Sequence, residues 1–208
     1  GVARTAEYLR SKNIMVYRGR AHFISRHELS IGQQRHISSD KFLIATGSEL
    51  RIPNIQGLQN VDYLTIKNVF GLNRPPRSLA IIGAGKSGIE LAELFAILGS
   101  KVYLLEQESR IAPRFAPSVS DGLVHLLAKK YGVDVIPDAQ VVEVSNDGPV
   151  VRLEYSRGGA EHALKAERIL IATGVVPSTD LGLMNADVKF DDAGVTVDEF
   201  LQTSTINI

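Results

Sequence analysis

The 208-residue chain contains no cysteine. That absence removes disulfides, thiolate metal sites and a cysteine nucleophile from its chemistry. Its 23 basic and 23 acidic side chains cancel to a formal net charge of zero. Nothing electrostatic therefore points to nucleic acid or an anionic membrane surface as partner. No apolar run approaches the roughly 20 residues that a membrane span needs, and the opening GVARTAEYLRSKN lacks the apolar core of a signal peptide. A cytoplasmic location is expected on these grounds. The five histidines (His22, His27, His36, His125 and His162) are scattered without ligand spacing and read as surface or packing residues. What remains, 44% hydrophobic and 22% charged, is an ordinary globular composition, long enough for one large domain or one and a half. The chain opens without methionine and stops at STINI in mid-pattern, as a fragment would.

Periodicity organises the rest. Residues 3–12 have helical spacing. NIMVYRGRAHFI and ELSIGQQRHI alternate like strands of a small meander, and DKFLIATGS reads as a short β-rich run. Residues 51–76 hold three prolines and little period, which predicts a connection between units. SLAIIGAG then has the continuous apolarity of a buried parallel strand. KSGIELAELFAILGS follows at helical intervals with Gly99 as its C-cap. KVYLLE predicts a second strand, 118–131 a second helix ended by Gly132, and VDVI a third strand. This βαβαβ order implies a parallel sheet with right-handed crossovers. AQVVEVS, VVRLEYSRGG and ERILIATG predict three more strands joined by turns at 146–148 and 158–159, and DDAGVTVDEF a turn leading into a last short strand.

Within IIGAGKSGIE two phosphate-binding patterns overlap. Gly85, Lys86 and Ser87 spell the end of a nucleoside-triphosphate loop, but the position five residues before Gly85, where that loop requires glycine, is Ala80, inside the strand. The alternative fits its context: Gly83, Gly85 and Gly88 form G-x-G-x-x-G between a strand and a helix. Gly83 permits the tight turn, Gly85 lets backbone approach a pyrophosphate seated on the helix N-terminus, and Gly88 lets helix and strand pack closely. Glu106 ends the second strand, 18 residues after Gly88, where a carboxylate accepts hydrogen bonds from adenosine ribose hydroxyls and repels a 2′-phosphate. NAD is thereby favoured over NADP, although Arg110, four residues on, is of the type that welcomes the extra phosphate. Lys86 and Ser87 fall in the first helical turn, where the lysine faces either cofactor or solvent.

The phrase I-A-T-G ends an apolar run on each side of this unit, at 44–47 and at 171–174. With IIGAGKSGIELAELFAILGSKVYLLEQESRI between the two phrases, the chain resembles the flavin-dependent pyridine nucleotide–disulfide oxidoreductases, the family of dihydrolipoamide dehydrogenase, glutathione reductase and mercuric reductase. The resemblance implies an α/β fold in which a Rossmann-like NAD(P)-binding domain, a parallel sheet plus a β-meander, is inserted into a partial FAD-binding domain. It places that partial domain at 1–62, the nucleotide domain at 63–180, and the start of the return segment at 181–208. It further implies that Gly83, Ala84, Gly85, Lys86, Ser87, Gly88, Ile89 and Glu90 form the NAD pyrophosphate loop and first helical turns, with Glu90 reaching towards the nicotinamide. Glu106 and Gln107 take the ribose end, Val141 the adenine side, and Gly174 gives the nicotinamide half room to pass. Ala21 matches a backbone contact to the FAD adenine, and Thr46, Gly47 and Ser48 match an edge that approaches FAD. Val175 and Val176 stand where many members have arginines, and Lys86 and Ser87 depart from the usual loop.

The function expected from the resemblance is NAD(H) binding within an FAD-dependent oxidoreductase that passes hydride between NAD(H) and FAD. Its partners would be the rest of the FAD and interface domains and, at full length, a second copy in a homodimer. No catalytic residue and no metal ligand is expected within these residues. The chain alone is expected to bind NAD(H), to hold FAD weakly or not at all, and not to turn over disulfides. The alternative is a stand-alone NAD(H)-binding module or sensor without catalysis.

Overall fold

A computed structural model describes residues 2–32 and 35–208. The chain divides into two compact units, one of residues 1–49 with 175–208, the other of residues 50–174.

The first unit begins with α1 (Val2–Ser11), followed by a three-stranded antiparallel meander of β1 (Ala21–Ser25), β2 (Glu28–Ile31) and β3 (Arg35–Ser38). Two strand expectations shrink here. Residues 14–20 carry no regular structure, and neither does the apolar run 41–47, where a strand begins only at β4 (Ser48–Leu50). A strand needs a neighbouring ladder. Along 41–47 the Phe42 N–H bonds the Asn207 carbonyl at 2.9 Å and the Gly47 carbonyl accepts the Ser178 N–H at 3.0 Å, two ties at opposite ends rather than a ladder, and Leu43 between them is 90% exposed. Phe42 and Ile44 still pack beside Phe23, Leu181, Leu183, Val188 and Ile208, which form the core of this unit.

The second unit is built on one parallel sheet. Its strands are β5 (Tyr63–Leu64), β6 (Ser78–Ile82), β7 (Lys101–Leu105), β8 (Asp134–Ile136) and, after a meander of β9 (Gln140–Asp147), β10 (Val150–Arg157) and β11 (Ala160–Ala166), β12 (Arg168–Ile171). The helices α2 (Lys86–Ile97) and α3 (Pro117–Tyr131) are the crossovers. The strand order is β5-β12-β6-β7-β8, every pairing parallel. The expected α/β class is therefore the one observed.

Side-chain alternation explains the layering. Leu79 and Ile81 of β6, Val102 and Leu104 of β7 and Leu170 of β12 face the helices, packing with Leu91, Ala92 and Phe95 of α2 and Leu127 of α3. The intervening residues Ala80, Ile82, Leu105, Ile169 and Ile171 face the meander, packing with Val144, Val151, Leu153 and Ala166. Helix, sheet and meander thus form three layers, the sheet apolar on both sides, as its continuous apolar runs require.

Three details differ from the sequence reading. Gly99, at φ +91°, follows the C-cap Leu98 rather than being it, while the Ser100 N–H returns to the Phe95 carbonyl at 2.9 Å. Residues 160–166, not 168–171, are the strand that follows the Gly158-Gly159 turn. AEHALKA lacks β-branched side chains, and its seven-residue ladder with β10 supplies what propensity does not. Residues 51–76 are more than a connection, because they supply the edge strand β5 and bury Ile55, Leu58, Val61 and Leu64.

The rest of the first unit comprises β13 (Val175–Pro177), which pairs with β4, and the short hairpin of β14 (Phe190–Asp191) and β15 (Gly194–Val195). That hairpin is the turn and strand expected of DDAGVTVDEF. No helix among the described residues is long and apolar enough to cross a membrane.

Candidate functional site

The sheet order itself selects a location. From β6 the chain runs outward through β7 and β8 on one side and then returns to β12 on the other side of β6, with the earlier strand β5 beyond it at the edge. The order therefore reverses between β6 and β12. In open parallel sheets the crevice beyond the carboxyl ends of strands at such a reversal is where ligands bind.

The glycine-rich loop leaves β6 at this point. Gly83 has φ +103°, and a Cβ there would stand 2.6 Å from the Ala172 carbonyl oxygen at the end of β12. Its N–H donates to the Leu105 carbonyl at 2.8 Å. Gly88 lies in the first turn of α2, and a Cβ there would fall on the Gly83 carbonyl. These two glycines allow helix, loop and strand to touch. Gly85 is different: a Cβ on it would meet nothing within 4 Å. It is the N-cap of α2 in an extended conformation, with no side-chain cap. The first amides of α2 therefore lack intrahelical acceptors, and the positive end of the helix dipole faces open space at Gly85. Lys86, Ser87 and Glu90 are exposed on the first turns, while Ala84 and Ile89 are buried.

Glu106 follows the end of β7, directly beside this loop. It is not a surface carboxylate, being 7% exposed. Its Oε2 accepts the Ala84 N–H at 2.7 Å and its Oε1 the Glu108 N–H at 3.0 Å. Arg110, on the turn that follows, has a buried Nη1 without a hydrogen-bond partner. Gln107 is exposed and lines an open cleft of about 380 Å³ with Glu108, Asp138, Gln140, Gly158 and Gly159. Val141 is partly buried and packs into the core between sheet and meander, next to the Gln140 that borders this cleft. Gly174, at φ +101° and exposed, lies just beyond β12, with open space where a Cβ would be.

The structure thus brings Gly83 to Glu90, Glu106, Gln107 and Gly174 to the carboxyl ends of β6, β7 and β12, and sets Val141 in the wall of the meander. Ala21, Thr46, Gly47 and Ser48 lie in the other unit. Ala21 starts β1 opposite Ile31, Gly47 has φ +68°, and Ser48 starts β4.

The repeated I-A-T-G phrase has a structural counterpart in each unit. Thr46 Oγ1 donates to the Ser178 carbonyl at 3.0 Å, and the Gly47 carbonyl accepts the Ser178 N–H at 3.0 Å. Thr173 Oγ1 donates to the Arg51 carbonyl at 2.5 Å, and the Gly174 carbonyl accepts the Arg51 N–H at 3.0 Å. Each phrase grips the residue four places beyond the glycine of the other. In both phrases the threonine hydroxyl and the glycine carbonyl make the same pair of bonds to one residue's backbone. Sequence reading missed Arg51 and Ser178, since both contribute only backbone atoms. It missed the meander side of the cleft for a similar reason, because Gly158 and Gly159 carried only a turn signal.

The family model for the pyridine nucleotide-disulphide oxidoreductases matches residues 3–208. The chain belongs to this family. Among its relatives, a mercuric reductase from Bacillus cereus is 33% identical over 193 residues, covering 92% of this chain and 30% of that protein. The probable pyridine nucleotide-disulfide oxidoreductase RclA of Escherichia coli is 33% identical over 203 residues, covering 94% of this chain and 45% of the relative. A solved structure of the HOCl-induced flavoprotein disulfide reductase RclA from Escherichia coli superposes with a TM-score of 0.81 at 31% identity, covering 99% of this chain and 49% of that one. The chain therefore spans between about a third and a half of the length of these relatives.

Proposed function

We propose that residues 50–174 bind NAD(H) as the nucleotide-binding part of a flavin-dependent oxidoreductase, and that residues 1–49 with 175–208 belong to its FAD-binding part. The observation that carries the reading is the pairing, at the reversal of the sheet, of an open Gly85 on a helix N-terminus with a buried carboxylate at Glu106. The residues fit the nucleotide. Gly83 and Gly88 close the loop, Gly85 and the first amides of α2 suit a pyrophosphate, and Glu106 suits ribose hydroxyls. The cleft beside Gln107 suits the adenosine end in size and polarity. Exposed Gly174 leaves the backbone open beside the loop, and Glu90 lies on the helix turn that leads away from it.

When bound, the nicotinamide and flavin supply hydride and electron exchange. This chain supplies orientation. The first unit also keeps Leu43, Phe200, Leu201 and Ile206 exposed, which suits a surface covered by the remainder of the enzyme. A homodimer of the full-length protein is part of the same reading, as is reduction of a disulfide or metal acceptor by residues outside this chain.

The test is titration of the chain with NADH and NADPH, followed by nicotinamide fluorescence, against Gly85→Val. NADH should bind more tightly than NADPH, because Glu106 faces a 2′-phosphate unfavourably. Preference for NADPH would give Arg110 the leading part. Gly85→Val should weaken NADH ~10-fold or more, the scale of one lost charge-assisted hydrogen bond. Its circular dichroism should be unchanged, since the added side chain enters open space. Equal NADH affinity in both proteins would overturn the assignment.

A further inference from the structure

We infer that Glu106 is a positioning residue for the glycine-rich loop, holding it in its anion-receiving form before any nucleotide arrives. Ala84 is fully buried, and its N–H finds its acceptor in Glu106 Oε2 at 2.7 Å. A buried amide without an acceptor is costly, so this bond constrains where the loop can go. The Ala84 carbonyl is held as well, accepting the Ala112 N–H at 2.9 Å. Both polar groups of Ala84 thus end on the segment 106–112.

Glu106 can serve as an anchor because it is itself anchored. Its N–H donates to the Ile136 carbonyl of β8 at 3.0 Å, and its carbonyl accepts the Ala139 N–H at 2.8 Å. The second carboxylate oxygen holds the Glu108 N–H, which folds the turn beneath the cleft. The chemistry calls for a carboxylate, because two acceptor oxygens meet two backbone donors. A glutamine keeps one acceptor and places an N–H₂ donor against the other N–H. Each carboxylate oxygen retains a further lone pair, so holding the loop and reading ribose hydroxyls are compatible roles.

This inference rests on the nucleotide reading for its ligand, but the loop itself can be followed without one. The experiment measures hydrogen exchange at the Ala84 amide in the unliganded chain, and affinity for ADP and for 2′,3′-dideoxy-ADP, in wild type, Glu106→Gln and Glu106→Ala. Positioning predicts a protected Ala84 amide in wild type whose exchange accelerates ~10-fold or more in Glu106→Ala and less in Glu106→Gln. It also predicts that dideoxy-ADP, which offers no ribose hydroxyls, loses affinity in both variants. Loss for ADP with none for dideoxy-ADP would reduce Glu106 to a ribose reader and overturn the inference. So would an unprotected Ala84 amide in wild type. Failure of wild type to bind either nucleotide would sink the nucleotide reading instead, leaving the exchange measurement to decide the loop.

Discussion

Gly83, Gly85 and Gly88 share one motif but do three physically different things. Gly83 needs its positive φ and its missing Cβ, because the Ala172 carbonyl occupies that space. Gly88 has ordinary helical geometry and is required only for its missing Cβ, which would collide with the Gly83 carbonyl. Gly85 is under neither constraint, so its requirement comes from a ligand or from nothing. The contrast is measurable. Gly88→Ala should lower stability by ~1–3 kcal/mol, the usual cost of overpacking against atoms that cannot yield, and thermal unfolding should register it. An unchanged melting temperature would mean that loop and helix move apart freely. The sequence motif predicted all three glycines but could not rank them, because the ranking depends on the folded path of the loop, which sets the Gly83 carbonyl against Gly88 and the distant Ala172 carbonyl against Gly83.

At the scale of elements, the opposite end of the sheet is tied by Glu167, between β11 and β12. Its Oε2 accepts the Arg77 N–H at 2.7 Å and its Oε1 pairs with Arg74 Nη2 at 2.6 Å. Its own N–H donates to Ser78 Oγ at 2.9 Å. The Arg77 N–H first, and then Arg74, hold the Glu167 carboxyl below its ordinary value of 4.5. A carboxyl lowered by folding contributes stability that is present above the ordinary value and is lost as pH falls through the lowered one. Wild type should therefore melt above Glu167→Gln at neutral pH, with the gap closing below about pH 4. A gap that stays constant down to pH 3 would assign the effect to packing rather than charge. Glu167 went unnoticed in the sequence because its partners lie some 90 residues earlier. The βαβαβ core was legible for the opposite reason: β6, α2, β7, α3 and β8 are consecutive, and each carries its own period. What stayed hidden were elements whose identity depends on a neighbouring strand rather than on their own composition. Tyr63–Leu64 becomes a strand only because β12 lies beside it, and 160–166 only because β10 does. The run 41–47 has strand composition without a ladder to join.

At the scale of the whole molecule, the chain is two units whose repeated I-A-T-G phrases each close a backbone grip within their own unit. The candidate site was legible in outline, since the glycine motif and Glu106 were both readable. Its depth was not: nothing in the sequence said that Glu106 is buried and bonded to Ala84. A pyridine nucleotide at the reversal point of the parallel sheet in residues 50–174, as we propose, would leave its mark in hydrogen–deuterium exchange of the chain with and without saturating NADH. NADH should slow exchange in peptides spanning 83–90, 106–112 and 172–174, and leave those spanning 21–25 and 44–48 unchanged. Protection confined to 21–25 and 44–48, or none at 83–90, would mean that NADH does not sit at the reversal point.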